Sequence, residues 1–188
     1  LNHRTVAEQT FALLLALSRQ IVTEANHCSA GEWVRLTGNE IMGKTISIIG
    51  MGRIGKELAI RANAFGMNAV GFDLYWDDEF AGKYDVKRAA NMDEALCAGD
   101  VVSLHVNLTD ETRDLINKEK IAQMKDGVII LNCARGEIVN NSHHMAAMWP
   151  ETEKLAEEGL VAFACTSYKP AVAPAGAIKP LFGTNPIS

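Results

Sequence analysis

The chain has 188 residues, enough for one large domain or for one domain with an appended piece. Its 48% hydrophobic residues suffice for a packed core, and 18 basic against 23 acidic residues leave a net charge of −5. That balance, without a basic tract or an aromatic-interleaved basic patch, excludes nucleic acid as the expected partner.

Residues 5–22 predict a helix: good helix formers, no Gly or Pro, and apolar residues on most faces. So much apolar surface is hard to cover within one domain, so this helix is expected to be largely buried and to serve as an interface element of a homodimer. Residues 26–39 are polar and contain glycine, which reads as a loop, with Trp33 as its anchor. From residue 45 short apolar runs alternate with helical segments. Residues 45–49 read as a strand and 54–65 as a helix with Ile54, Leu58, Ala62 and Phe65 on one face, stopped by Gly66. Residues 69–72 read as the second strand, 93–98 as a short helix begun at Asn91 or Met92 and ended by Gly99, and 101–105 as the next strand. Then come a helix over 118–124 and a strand over 128–132. Strands alternating with helices at this spacing predict an α/β fold, a doubly wound parallel, Rossmann-like sheet with helices on both faces. Ligands of such sheets bind beyond the carboxyl ends of the strands, where the loops 50–55, 73–76, 106–112 and 133–136 gather.

Gly50-Met51-Gly52-Arg53-Ile54-Gly55 stands between the first strand and its helix, and Asp73 follows about twenty residues past Arg53. Gly50 permits the tight turn, Gly52 lets the backbone approach a pyrophosphate, and Gly55 lets helix and strand pack closely. The helix N-terminus offers unpaired N–H groups and partial positive charge. Asp73 can accept hydrogen bonds from the adenosine ribose and repel a 2′-phosphate, which favours NAD over NADP. The acidic run Asp77-Asp78-Glu79, read as a solvated loop, acts in the same sense.

The longest strongly apolar segment, 11–17, is too short to span a bilayer, and no signal peptide is read at the start of the sequence. Cys28, Cys97, Cys133 and Cys165 form no CxxC pair, so they read as free, mostly buried thiols in a reducing compartment, and the protein as cytoplasmic. The Asn107-Leu108-Thr109 sequon carries little weight without a secretory signal. His105 ends a strand near the cleft and reads as a core or cleft-wall residue. His143 and His144 would point to different helix faces, so no shared metal is expected.

Residues 1–141 resemble the cofactor-binding domain of the D-isomer-specific 2-hydroxyacid dehydrogenases, nearest to the phosphoglycerate dehydrogenase branch. The resemblance is carried by Gly43-Lys44-Thr45 leading into the glycine loop, by Ala64-Phe65-Gly66-Met67 and Gly71-Phe72-Asp73, and by Ser103-Leu104-His105-Val106 with Thr109 to Thr112. Its most specific part is Asn132-Cys133-Ala134-Arg135-Gly136. It implies that Arg53 and Ile54 contact the pyrophosphate and Asp73 the adenosine ribose. Val106, Asn107 and Thr112 would line the adenine-to-phosphate side, and Cys133 and Ala134 would approach the nicotinamide ribose. Arg135 would be the substrate-binding arginine, since a guanidinium can hold a 2-oxo carboxylate bidentately and polarise the ketone as hydride arrives. The family more often has proline at the place of Asn107, which implies a different loop shape here.

Two departures stand out. The family inserts its cofactor domain into a substrate domain built from both chain ends, and nothing before Leu1 is available to build one, so a separate substrate domain is expected to be absent. The family also uses a glutamate and an acid/base histidine beyond the arginine, and His143 and His144 come too early to match. Residues 143–188 instead resemble the malate/L-lactate dehydrogenase-like family, which includes ureidoglycolate dehydrogenase and piperideine-2-carboxylate reductases. The carriers are the segment beginning His143-His144, Ala156 to Val161, and Phe182-Gly183-Thr184-Asn185-Pro186-Ile187. In that family the His-His and Gly-Thr-Asn-Pro segments lie near the nicotinamide cofactor, which here points to His143, His144, Thr184 and Asn185. Physically, residues 145–158 can form a helix and 160–166 a strand, a pair that would complete the sheet. Residues 169–186, rich in proline, read as an extended terminus.

These readings give an NAD-binding domain over 1–141, a helix and strand over 142–168 and a tail over 169–188. The expected function is an oxidoreductase moving hydride between NAD and a small 2-hydroxy/2-oxo acid, with Arg135 orienting the carboxylate. The 188-residue chain alone is expected to bind NAD and to turn over slowly or not at all. The alternatives are a non-catalytic NAD(H)-responsive binding module and a fragment of a malate/L-lactate dehydrogenase-like reductase.

Overall fold

The computed structural model describes residues 2–139 and the strand at 161–164. Helix α1 (His3–Ser18) buries Ala7, Phe11, Leu14 and Ser18, a spacing of three to four residues that puts them on one side, together with Thr10 and Leu13. Helix α2 (Ile21–Ser29) follows α1, and strand β1 (Thr45–Ile49) then leads to α3 (Arg53–Ala64). Then follow β2 (Asn68–Phe72), α4 (Asp78–Lys83), β3 (Val86–Arg88), α5 (Met92–Ala98), β4 (Val101–Leu104), α6 (Lys118–Ile121) and β5 (Ile129–Asn132). A 3-10 turn (Gly136–Ile138) comes next, and β6 (Val161–Ala164) is the last described element.

The six strands lie in the order β3-β2-β1-β4-β5-β6 and every pairing is parallel. Parallel strands are covered on both faces, and side chains alternate between them. Ile46 and Ile48 pack with Phe11 and Leu14 of α1 and Leu58 and Ala62 of α3. Ile49, Val102, Leu104 and Ile130 pack on the other face with Ala95 and Leu96 of α5. Each such fully buried Leu or Ile contributes about 1.5–3 kcal/mol. Ser47, the one polar side chain of β1 that is fully buried, is satisfied by donating to the Ala95 carbonyl.

The structure departs from the sequence reading in several places. The helix expected over 5–22 breaks at Gln20, which is left-handed (φ 54, ψ 32). The cause lies downstream: the returning segment donates from Asn39 N–H to the Ser18 carbonyl at 2.7 Å, and Gln20 Nε2 donates to the Thr37 carbonyl at 3.0 Å. A Cβ on Gly38 would sit 2.7 Å from the Ser18 carbonyl oxygen, so the chain crosses the end of α1 in main-chain contact. The loop expected from residue 26 begins only after α2, and α2 buries no residue. Trp33, expected as an anchor, is 100% exposed and touches nothing that would hold a loop.

In α3 the buried residues are Gly55, Leu58, Ala59 and Ala62. Ile54 turns toward the cleft and Phe65 is 46% exposed, so the apolar face lies about one position round from the expected one. Gly66, with φ +71, terminates the helix as expected. Asp77-Asp78-Glu79 is not a loop but the start of α4: Asp77 Oδ1 accepts the Phe80 N–H at 2.9 Å. The Lys56 ammonium pairs with Asp77 and holds its carboxyl below the usual aspartate value. Strand β3, three residues long, has no counterpart in the sequence reading. Helix α6 stops at Ile121. Cys28 and Cys97 are exposed and Cys133 half-buried, contrary to the burial expected, because α2 buries nothing and Cys97 lies on the outer side of α5. The helix expected over 145–158 and the tail over 169–188 lie outside the described residues.

Candidate functional site

A doubly wound sheet offers its ligand crevice where the strand order reverses, here between β1 and β4. The loops meeting there are locked through main chain. Gly50 leaves β1 with φ +99, a conformation that strains any side chain, and a Cβ would lie 2.7 Å from the His105 carbonyl oxygen. Its N–H donates to Phe72 at the end of β2 (2.9 Å), and the His105 N–H donates to Ile49 at the end of β1 (2.8 Å). Gly55, in the first turn of α3, is pressed so closely on the loop that a Cβ would stand 2.2 Å from the Gly50 carbonyl oxygen.

Gly52 is different. A Cβ there would meet nothing within 4 Å, Gly52 is the N-cap of α3, and no side chain caps that helix. The first N–H groups of a helix have no intrahelical acceptor and carry partial positive charge. The space over Gly52 is therefore an open seat for anionic oxygens, with Arg53 exposed at the first helical position. Beside it Met51 donates its N–H to Asp73 Oδ2 at 2.7 Å, and Asp73 Oδ1 accepts the Tyr75 N–H at 2.8 Å. An ionised carboxylate offers about four lone-pair sites, so acceptor capacity remains at Asp73.

On the β4 and β5 side lies a cleft of about 480 Å³. Ile54, Val106, Asn107, Cys133, Ala134 and Arg135 line it, so these predicted residues are brought together. Gly50, Gly52, Arg53 and Gly55 form the adjoining glycine loop, and Asp73 stands at the end of β2. Thr112 is not on the cleft wall. Its hydroxyl donates to the Asn107 carbonyl at 2.6 Å and accepts the Thr109 N–H at 2.8 Å, so it shapes the loop that carries Asn107.

Arg135 is exposed and donates from Nη1 to the Ala134 carbonyl at 2.7 Å. Its loop is shaped by Asn132, whose Oδ1 accepts the Ala134 N–H (3.1 Å) and whose Nδ2 donates to the Arg135 carbonyl (2.8 Å). His105 also lines the cleft. Its Nε2 is 2.8 Å from the Ser103 hydroxyl, and burial pushes its pKa down to about 4, so the ring is neutral near pH 7. Sequence reasoning missed Asn2 and Val6, from the start of α1, which line the same cleft. No local signal marks them, because they reach the site only through the packing of α1 against α3 and β5. Among the described residues no group of three or more His, Cys, Asp or Glu is placed to hold a metal ion, and no helix is long and apolar enough to cross a membrane.

The family model of the D-isomer specific 2-hydroxyacid dehydrogenase NAD binding domain matches residues 11–156. The chain belongs to that family. It is an NAD-binding domain of Rossmann type, and its relatives are oxidoreductases. It is 43% identical over 138 residues to the D-3-phosphoglycerate dehydrogenase of Methanocaldococcus jannaschii, a match covering 72% of this chain and 26% of that protein. It is 41% identical over 149 residues to the Bacillus subtilis enzyme of the same name, covering 78% and 28%. Among solved structures, D-lactate dehydrogenase from Aquifex aeolicus in complex with NAD and lactic acid superimposes with a TM-score of 0.72 at 30% identity, over 84% of this chain and 46% of that one. The chain thus spans about a quarter of the phosphoglycerate dehydrogenases it matches. A second family model, Malate/L-lactate dehydrogenase, matches residues 137–188.

Proposed function

We propose that the NAD-binding domain seats the cofactor's pyrophosphate over Gly52 with Gly50, Arg53, Ile54 and Gly55 around it and its adenosine ribose at Asp73, with Val106 and Asn107 along the adenine-to-phosphate side of the cleft and the nicotinamide end toward Cys133, Ala134 and Arg135. Bound NAD supplies hydride transfer to or from C2 of a small 2-hydroxy/2-oxo acid. The observation that carries this reading is the shared cleft: Arg135, on its Asn132-braced loop, lines the same space as Ile54 at the start of α3. An exposed guanidinium there can bind a carboxylate through two parallel hydrogen bonds and polarise a neighbouring carbonyl. Asp73 disfavours a 2′-phosphate by charge. His105, half-buried, forms part of the wall, and its pKa of about 4 leaves the ring neutral near pH 7.

Residues 1–141 act as the cofactor-binding unit, and β6 extends its sheet. Titration of the 188-residue chain with NADH and NADPH, followed by a panel of 2-oxo acids, tests the reading. It predicts NADH binding in clear preference to NADPH, and slow or no turnover by this chain. Preference for NADPH overturns the assignment of Asp73, and robust 2-oxo acid reduction overturns the assignment of His105 as wall rather than acid.

A homodimer is also proposed. Its support is the segment after α1, where Ile21 (51%), Val22 (53%) and Trp33 (100%) are exposed. A monomer in gel filtration removes this proposal. The free thiols of Cys28 and Cys97 support a cytoplasmic setting. The exposed apolar segment also favours a second reading, an NAD(H)-responsive binding module; light scattering that is indifferent to NADH counts against it.

A further inference from the structure

Met51, the residue between the first two glycines, is gripped from two sides. Its side chain is 4% exposed and fills the space that Gly71 leaves open on β2: a Cβ on Gly71 would lie 2.8 Å from Met51 Cγ and 2.9 Å from Sδ. Its N–H is turned away from the open seat over Gly52 and donates at 2.7 Å to Asp73 Oδ2. The other oxygen of Asp73 holds the Tyr75 N–H, which fixes the carboxylate's orientation. A charge-assisted bond to a partly buried backbone N–H is stronger than a neutral one. Its place matters because glycines flank Met51 on both sides, and glycine loses more conformational freedom on ordering than any other residue.

We propose that Asp73 is a positioning residue for the glycine loop in addition to its role toward the adenosine ribose: through Met51 N–H it holds the loop in its phosphate-receiving shape before any cofactor arrives. The proposal rests on the reading of residues 50–55 as the phosphate seat. The two roles are compatible, since the two backbone bonds leave lone pairs on the carboxylate for ribose hydroxyls. Replacing Asp73 by a small neutral residue, the direct way to remove repulsion toward a 2′-phosphate, also unpins the loop and so weakens binding of both NADH and NADPH.

The test uses the 188-residue chain, its Asp73→Ala and Asp73→Asn variants, and Gly71→Ala, which crowds Met51 while keeping the acid. Two measurements are made: amide hydrogen exchange at Met51 without cofactor, and affinity for NADH and for reduced nicotinamide mononucleotide. The mononucleotide has a phosphate but no adenosine ribose. Asp73→Ala is expected to speed Met51 exchange about tenfold and to weaken mononucleotide binding several-fold. Asp73→Asn retains an oxygen acceptor and is expected to restore most of both. Gly71→Ala is expected to speed Met51 exchange. Unchanged Met51 exchange in Asp73→Ala overturns the proposal, as does faster exchange with unchanged mononucleotide affinity, which leaves Asp73 as a ribose ligand only. A wild-type chain that binds neither nucleotide overturns the phosphate seat itself, and the exchange data then still decide whether Asp73 holds the loop.

Discussion

Gly50 and Gly55 are pressed against main chain, with no room for a single added carbon, whereas Arg135 stands exposed on a loop whose shape depends on the side chain of Asn132. The two walls of one cleft thus differ in what they demand of sequence. The glycine-loop wall is enforced by sterics that only glycine satisfies. The Arg135 wall is enforced by hydrogen bonds that a single substitution removes, and its functional group adds little to stability.

Substitutions can break this contrast or sharpen it. Gly55→Ala should have the largest effect, upwards of about 3 kcal/mol, because the added methyl meets a backbone carbonyl that cannot move without shifting β1 or α3. Thermal melting and NADH titration should show a destabilised chain without measurable cofactor affinity. Next comes pH. His105 titrates near 6.5 in the unfolded chain but near 4 in the fold, because burial disfavours the charged ring. Its contribution is fully present above about pH 6.5 and is lost as pH falls toward 4, since the unfolded chain binds the proton first. The total is about 3 kcal/mol. Denaturant midpoints at pH 7.5 and 4.5 should differ accordingly, and His105→Leu should flatten that slope.

Asn132→Ala removes both braces of the Arg135 loop and should cost about 1–2 kcal/mol, with a larger loss in binding of a carboxylate substrate than in binding of NADH. Equal losses for both ligands would mean that the loop does not act on the arginine. The smallest stability effect belongs to Arg135→Ala, within about 0.5 kcal/mol for an exposed side chain. Under the proposed function the same change should weaken binding of a 2-oxo carboxylate to the NADH-bound chain at least about tenfold, read by titration.

The contrast also accounts for what could be read without the structure. Gly50, Gly52, Gly55 and Asp73 are legible because their demands are local: a turn, an open helix start, an acid at the end of the next strand. Asn132 to Gly136 are legible as a run on one loop. The break at Gln20 is not, since it is imposed by residues 37–39 folding back on Ser18. Strand β3 is only three residues long, too short for alternation to register. The capping role of Asp77 hid in a run of acids whose charge suggested solvent first. Asn2 and Val6 carry no motif, and Thr112 carries one whose local bonds turn it toward the Asn107 loop instead of the cleft.

Strand β6 gives the edge of the sheet a meaning of its own. Val161–Ala164 runs in register against Ile129–Asn132, within residues that match a family model different from the one that describes the rest. A flanking strand in a parallel sheet forms its main-chain ladder with one neighbour only. Val-Ala-Phe-Ala supplies a proline-free backbone, so no ladder hydrogen bond is lost to a missing N–H. At this edge a segment that matches one family model continues the parallel ladder of a strand that matches another, so the main-chain hydrogen bonding runs unbroken from one match into the next.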